Sequence, residues 1–80
     1  MAAITVYTTS WCSYCHALKA ELRDREIDFD EVDIQDSPSA AEIVQDINGD
    51  LTVPTVVFED GSALTAPDGA EVAAYLAARI

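Results

Sequence analysis

Apolar and polar residues divide the chain into seven stretches of different period. Ile4-Thr5-Val6-Tyr7-Thr8, rich in β-branched and aromatic residues, predicts a buried first strand that closes at the polar Thr8-Thr9-Ser10. Ala17, Leu18, Leu22 and Ile27 then recur at helical spacing, with Lys19, Glu21, Arg23, Asp24 and Arg25 assigned to the outer face. Across residues 28–36, Phe29, Val32 and Ile34 predict a second strand bordered by acids, although its alternation is broken. A second helix opens at Ser37-Pro38 or at Ser39-x-x-Glu42, either of which offers a hydroxyl cap, and ends at Asn48-Gly49. Residues 52–58 form strands readily, Glu59-Asp60-Gly61-Ser62 turns the chain, and Ala63-Leu64-Thr65 returns, which makes a hairpin. Asp68-x-x-Glu71 provides a capping box for a last helix whose apolar face is Val72, Ala73, Leu76 and Ile80.

The order is therefore β-α-β-α-β-β-α. A right-handed parallel βαβ unit, an antiparallel hairpin and a closing helix combine into a four-stranded mixed sheet flanked by helices on both faces. That is an α/β architecture, the thioredoxin fold, and 80 residues leave room for one such domain over residues 1–80. With 50% hydrophobic residues and only three Gly and three Pro, the chain has the composition of a folded domain rather than a disordered one.

Charge narrows the partners. Four Lys and Arg against fifteen Asp and Glu give a net charge of −11. Lys19, Arg23, Arg25 and Arg79 form no patch beyond one helix side, so neither nucleic acid nor an anionic membrane is an expected partner. No apolar run approaches the ~20 residues that span a bilayer, and Met1-Ala2-Ala3-Ile4 has no basic start like a signal peptide. A soluble, monomeric, cytoplasmic protein is expected. The acids Asp28, Asp30, Glu31, Asp33 and Asp36 lack the central Gly and distal Glu of a calcium loop and predict a solvated edge.

The candidate chemistry lies in Trp11-Cys12-Ser13-Tyr14-Cys15. A bridge between Cys12 and Cys15 closes a ring of about four residues and adds only ~2 kcal/mol in the chain-entropy model, against ~4 kcal/mol for a loop spanning most of the chain. The pair is poorly placed for stability and well placed to switch between dithiol and disulfide. At a strand-to-helix junction, Cys12 meets unpaired backbone N–H groups and the positive helix end, which favour its thiolate; Cys15, one turn deeper, suits a resolving thiol. A zinc site needs two more ligands where the chain offers only His16, and unreactive buried cysteines rarely adopt this spacing, so no metal is expected. His16, four residues after Cys12, is either a further source of positive charge for the thiolate or a solvated surface histidine.

Trp11-Cys12-x-Tyr14-Cys15 after an Ile-x-Val-Tyr strand, with Thr52-Val53-Pro54 opening the third strand and an Asp60-Gly61 turn, resembles the glutaredoxin family over nearly the whole chain. Within that family, Val53-Pro54-Thr55-Val56 and Asp60-Gly61-Ser62 running into Leu64-Thr65-x-Pro67 are most similar to the mycoredoxins of actinobacteria. Ser13 stands where glutaredoxins usually carry Pro. The resemblance implies Cys12 and Cys15 as catalytic residues and as the redox-active disulfide, a cis Val53–Pro54 bond beside them, and a substrate groove formed by Trp11, Tyr14, Thr52, Val53, Pro54, Thr65 and Asp68. A Pro at the start of a strand is also compatible with no function at all.

The activity so implied is thiol–disulfide exchange that frees proteins from mixed disulfides with a low-molecular-weight thiol. Glutathione carries two carboxylates, and glutaredoxins resemble one another in a basic residue just before the CxxC and a Gly-Gly-x-Asp near the last helix. Here Thr8-Thr9-Ser10 and Thr65-Ala66-Pro67-Asp68 occupy those places, and no Lys or Arg precedes Cys12. Mycothiol, a thiol sugar without carboxylates, is thus the expected co-substrate ahead of glutathione, with no bound cofactor. The alternatives are a glutathione-dependent glutaredoxin, a dithiol donor to ribonucleotide reductase recharged by thioredoxin reductase, and a non-catalytic module. A Trp-Ser-Gly-Phe-Arg stretch before Asp68, associated with the dithiol donors, is absent.

Overall fold

In the computed structural model, which describes residues 4–78, the chain runs β1 (Ile4–Thr8), α1 (Ser13–Asp24), β2 (Asp30–Asp33), α2 (Pro38–Asn48), β3 (Thr55–Phe58), β4 (Ala63–Thr65) and α3 (Gly69–Ala78). The strands form one sheet in the order β2-β1-β3-β4, with β1 and β2 parallel and the other two pairings antiparallel. This is the expected thioredoxin fold. Ile80 and Arg79, assigned above to the last helix face and to the cations, lie outside the described residues.

Strand register sorts side chains to the two faces of the sheet. Because Val6 stands opposite Val56 and Ile4 opposite Phe58, these four share one face and pack with Leu18 and Leu22 of α1 and Val72 of α3. Tyr7 and Ile34 point to the other face, where Ala40 and Val44 of α2 cover them. Helices thus flank both faces, with α1 and α3 together. Where they meet, a Cβ on Gly69 would lie 2.5 Å from that of Glu21, so glycine sets how closely the two helices approach.

Ser37, rather than Ser39, opens α2: its hydroxyl accepts from the Ala40 N–H and Pro38 takes the first turn. Gly49 closes the helix in the left-handed conformation at φ 78°. Asp68 Oδ1 accepts from the Glu71 N–H at 2.7 Å and caps α3. The third strand begins at Thr55 instead of Thr52, since Pro54 has no N–H for the ladder.

Helix α1 corrects two assignments made from spacing. Ala17 is exposed, whereas Lys19, placed on the outer face, is only 8% exposed and belongs to the buried stripe Cys15, Leu18, Lys19, Leu22. The register pairs Glu31 with Val6, which turns this acid toward α1, where it meets the Lys19 ammonium at 2.7 Å. That pairing accounts for the broken alternation in β2: Phe29 packs into the α1 layer, Val32 and Ile34 into the α2 layer, and between them a charged residue occupies a core-facing position because a cation reaches it. Among the described residues, no helix is long and apolar enough to cross a membrane.

Candidate active site

Strand β1 delivers the chain to α1 through a short turn in which the Cys12 N–H donates to the Thr9 carbonyl at 3.3 Å. Cys12 is the N-cap residue of α1, with extended backbone (φ −84°, ψ 108°), and its Sγ accepts from the Cys15 N–H at 3.2 Å. A sulfur thus takes the place usually held by a serine or aspartate oxygen, and a backbone donor that would lack a partner points at it. Negative charge on that sulfur is met by the N–H and by the positive end of the helix.

The two thiols, both free, differ in accessibility. Cys12 is 9% exposed and Cys15 completely buried. Burial, and next the hydrogen bond with Cys12, push the Cys15 thiol up to about 12, with the Thr9 backbone and the Lys19 charge pulling the other way. The arrangement therefore offers an outer sulfur adapted to carry charge and an inner one held protonated, an asymmetry suited to stepwise exchange.

Beside the outer sulfur lies the Val53–Pro54 segment. Its peptide bond is cis, as the resemblance implies, and the Val53 carbonyl is the acceptor facing the Cys12 thiol at 4.0 Å. The Pro54 carbonyl accepts from the Ala66 N–H at 2.8 Å, and the Ala66 carbonyl accepts from the Tyr14 hydroxyl at 3.0 Å. Ala66 adopts φ 50°, in a region that non-glycine residues seldom occupy, and so keeps both backbone groups aimed at these partners. Trp11, 72% exposed, and Tyr14, 47% exposed, form the rim.

Asn48, read from sequence only as the end of α2, joins the remaining candidate residues. Its Nδ2 donates to Thr55 Oγ1 at 2.8 Å and to the Thr52 carbonyl at 3.2 Å, while its Oδ1 accepts from Thr65 Oγ1. Thr52 Oγ1 itself turns back to Asp50, so this residue contributes to the segment through its backbone. Asp68 Oδ1 is engaged in capping α3, and the His16 ring lies 2.9 Å from the Ser10 carbonyl instead of turning to Cys12. The structure therefore brings Cys12, Cys15, Tyr14, Val53 and Pro54 into one constellation and connects Thr52 and Thr65 to it through Asn48. A helix-terminal Asn followed by Gly gave no hint of this second role.

A depression of about 420 Å³ lies between the end of α1 and β2, lined by Arg23, Glu26, Ile27, Asp28, Phe29 and Glu31, and shares no residue with the cysteine site. Exchange at sulfur needs an approachable thiol with charge stabilisation more than it needs a cavity, so we place the candidate site at Cys12. Among the described residues, no three His, Cys, Asp or Glu side chains are grouped so that they could hold a metal ion.

Comparison with known proteins places the chain in a family. The family model for glutaredoxins matches residues 4–62. A protein of Mycobacterium tuberculosis (strain H37Rv), provisionally named a glutaredoxin, is 55% identical over 76 residues, 94% of this chain and 90% of the relative. Mycoredoxin 1 of Corynebacterium glutamicum is 39% identical over 79 residues, 98% of each chain. Among solved structures, the NrdH-redoxin of Escherichia coli superposes with TM-score 0.77 at 28% identity, over 89% of this chain and 91% of the other. The glutaredoxin of Methanosarcina mazei gives 0.80 at 26% identity, over 94% and 78%. With a family match over most of its length, and a cysteine pair built as that chemistry requires, the chain belongs to the glutaredoxin family and is a thiol–disulfide oxidoreductase.

Proposed function

We infer that the protein removes mycothiol from protein mixed disulfides, in the cytoplasm and as a single domain. The Cys12 thiolate attacks the mycothiol sulfur, forming a Cys12–mycothiol disulfide, and the substrate protein leaves as a thiolate that takes a proton from solvent. A second mycothiol then attacks and departs as the symmetrical disulfide, returning Cys12 to its thiolate. Alternatively Cys15 loses its proton and attacks Cys12 Sγ, releasing mycothiol and leaving a Cys12–Cys15 disulfide for an external disulfide reductase. Tyr14, Val53 and Pro54 line the approach, Trp11 forms its outer edge, and Thr52, Thr65 and Asp68 belong to the same groove.

The observation that carries the choice of thiol is where the cations are. Those described are Lys19, Arg23 and Arg25, all on α1 or at its end. Lys19 is committed to Glu31, Arg23 lies over the Phe29 ring, and Arg25 reaches the Glu21 carbonyl. None is a free partner for a ligand carboxylate at the rim. A charge-assisted hydrogen bond contributes ~1.5–3 kcal/mol, so a thiol with carboxylates loses more here than a neutral thiol sugar. The 39% identity to a mycoredoxin supports the same choice.

The likeness to NrdH-redoxin favours one other reading, a dithiol donor to ribonucleotide reductase recharged by thioredoxin reductase. A turnover assay separates them, offering one protein as its mycothiol or glutathione mixed disulfide, and thioredoxin reductase as a third arm. Mycothiol release should be at least about tenfold faster in kcat/KM than glutathione release, a gap of ~1.4 kcal/mol. Equal rates, a preference for glutathione, or efficient turnover only with thioredoxin reductase would overturn the mycothiol assignment.

A further inference from the structure

Beyond the cysteines lies a charged pair for which the exchange chemistry described so far has no use. Lys19 follows Cys15 by one helical turn on the same buried stripe of α1, and its ammonium is 2.7 Å from Glu31 Oε2. The same carboxylate oxygen accepts from Thr8 Oγ1 at 2.9 Å, so the acid is fixed from both β1 and α1. The pair stands out for its position: Lys19 is the only cation among the described residues whose side chain is buried, and it follows the inner thiol on the same buried stripe.

We propose that Lys19 is a positioning residue for the resolving step, its ammonium stabilising the Cys15 thiolate and Glu31 limiting how much of that charge Cys15 feels. The proposal rests on the stepwise exchange of Cys12 and Cys15 and goes beyond it in assigning a control element. In that step the Cys12–S–S–R bond breaks as the Cys15–Cys12 bond forms; Cys15 gives up its proton, and the departing RS⁻ gains one from solvent. The attacking species is an anion in a fully buried site, where water contributes little to stabilising it.

The groups around Cys15 are few. Its own helix contributes Cys12 and Lys19, with Arg23 acting on Glu31 from one turn further. The Thr8 hydroxyl comes from the end of β1, the Thr9 backbone from the turn that follows it, and Glu31 from β2. Helix α3 meets α1 at Gly69 and Glu21, and its Tyr75 stacks on Phe58 at the opposite end of the sheet. Lys19 is the one cation on the buried stripe of α1 that holds Cys15, one turn along from it, and Glu31 is the carboxylate paired with it. Removing the Lys19 ammonium and removing the Glu31 charge that partners it should therefore act on Cys15 in opposite directions, although as members of one ion pair both hold the fold together.

That opposition gives the test. Stopped-flow reaction of the reduced protein with the aromatic disulfide 5,5′-dithiobis(2-nitrobenzoate) releases one thiolate when Cys12 attacks and a second when Cys15 resolves, so the pH profile of the second phase reports Cys15. Lys19→Met should move that profile about one pH unit upward, a roughly tenfold slower second phase at neutral pH, with the first phase within about twofold of the parent. Glu31→Gln should move it downward, and Lys19→Arg should restore the parent profile. Should Lys19→Met fail to fold, the Glu31→Gln shift decides the matter. A profile that moves upward or not at all in Glu31→Gln, or that stays put in folded Lys19→Met, would overturn the proposal. Absence of the first phase from the parent protein would instead remove Cys12 as the nucleophile, a separate failure.

Discussion

Replacing Asn48 by Ala should loosen the segment that faces Cys12. The amide is tied to Thr55 Oγ1 at 2.8 Å, to the Thr52 carbonyl at 3.2 Å, and to Thr65 Oγ1. These losses are unequal. Thr65 is exposed and turns to water, while Thr55 is completely buried; its hydroxyl still donates to the Thr52 carbonyl at 2.9 Å but loses the donor it accepted from. Two partly buried hydrogen bonds at ~0.5–1.5 kcal/mol each put the cost near 2 kcal/mol. For a domain of this size that is a fall in Tm on the order of 10 °C. Denaturant unfolding of reduced Asn48→Ala, beside Thr65→Val as the variant that loses only the exposed bond, measures the difference. Because residues 52–54 present the Val53 carbonyl to Cys12, kcat/KM for a protein mixed disulfide should fall about three- to tenfold, while alkylation of Cys12 by a small reagent stays near the parent rate. An unchanged unfolding midpoint, or equal losses in Asn48→Ala and Thr65→Val, would refute the idea that Asn48 anchors this segment.

Two further outcomes follow from the asymmetry of the thiols. Cys12→Ser should abolish exchange, whereas Cys15→Ser should keep turnover of small-thiol mixed disulfides and lose dithiol reduction; equal loss in both variants, assayed on one mixed disulfide, would exclude the one-cysteine route. The reduced protein should also lose stability in alkali through Cys15. Its thiol is raised from 9.0 to about 12 on folding, so the unfolded chain gives up this proton first, and stability complete below pH 9 declines as pH rises toward 12. The slope approaches ~1.4 kcal/mol per pH unit for one proton, and urea midpoints measured against pH should lack it in Cys15→Ser.

Most of the fold was legible because each element carried its own signal. The β-branched run at Ile4–Thr8, Gly49 after α2 and the Asp68 cap of α3 each act within a few residues, and they appear where spacing and cap chemistry place them. The Cys12 and Cys15 pair was legible for the same reason, since a CxxC at a strand-to-helix junction positions its sulfurs through local geometry alone. What sequence did not disclose depends on contacts between distant segments. Asn48 reaches Thr65, seventeen residues away, and Tyr14 reaches Ala66, fifty-two away, and neither reach leaves a periodic trace. Strand limits shifted where a missing N–H overrode propensity, as at Pro54 before β3.

Lys19 and Glu31 are the instructive pair, because neither showed its role by itself. From spacing alone Lys19 reads as an outer-face residue, and the acid between Phe29 and Val32 as a break in the strand's alternation. Only the register of β2 against β1, which turns Glu31 to the side of Val6, makes the two residues one feature. The consequence reaches the chemistry at the rim. A cation held inside the fold can act on Cys15 but is unavailable to a carboxylate outside, so one placement bears on both the resolving step and the choice of thiol. These effects separate experimentally: Glu31→Gln alters the charge felt by the inner sulfur without adding a cation to the groove, and should leave the ratio of mycothiol to glutathione turnover where it was.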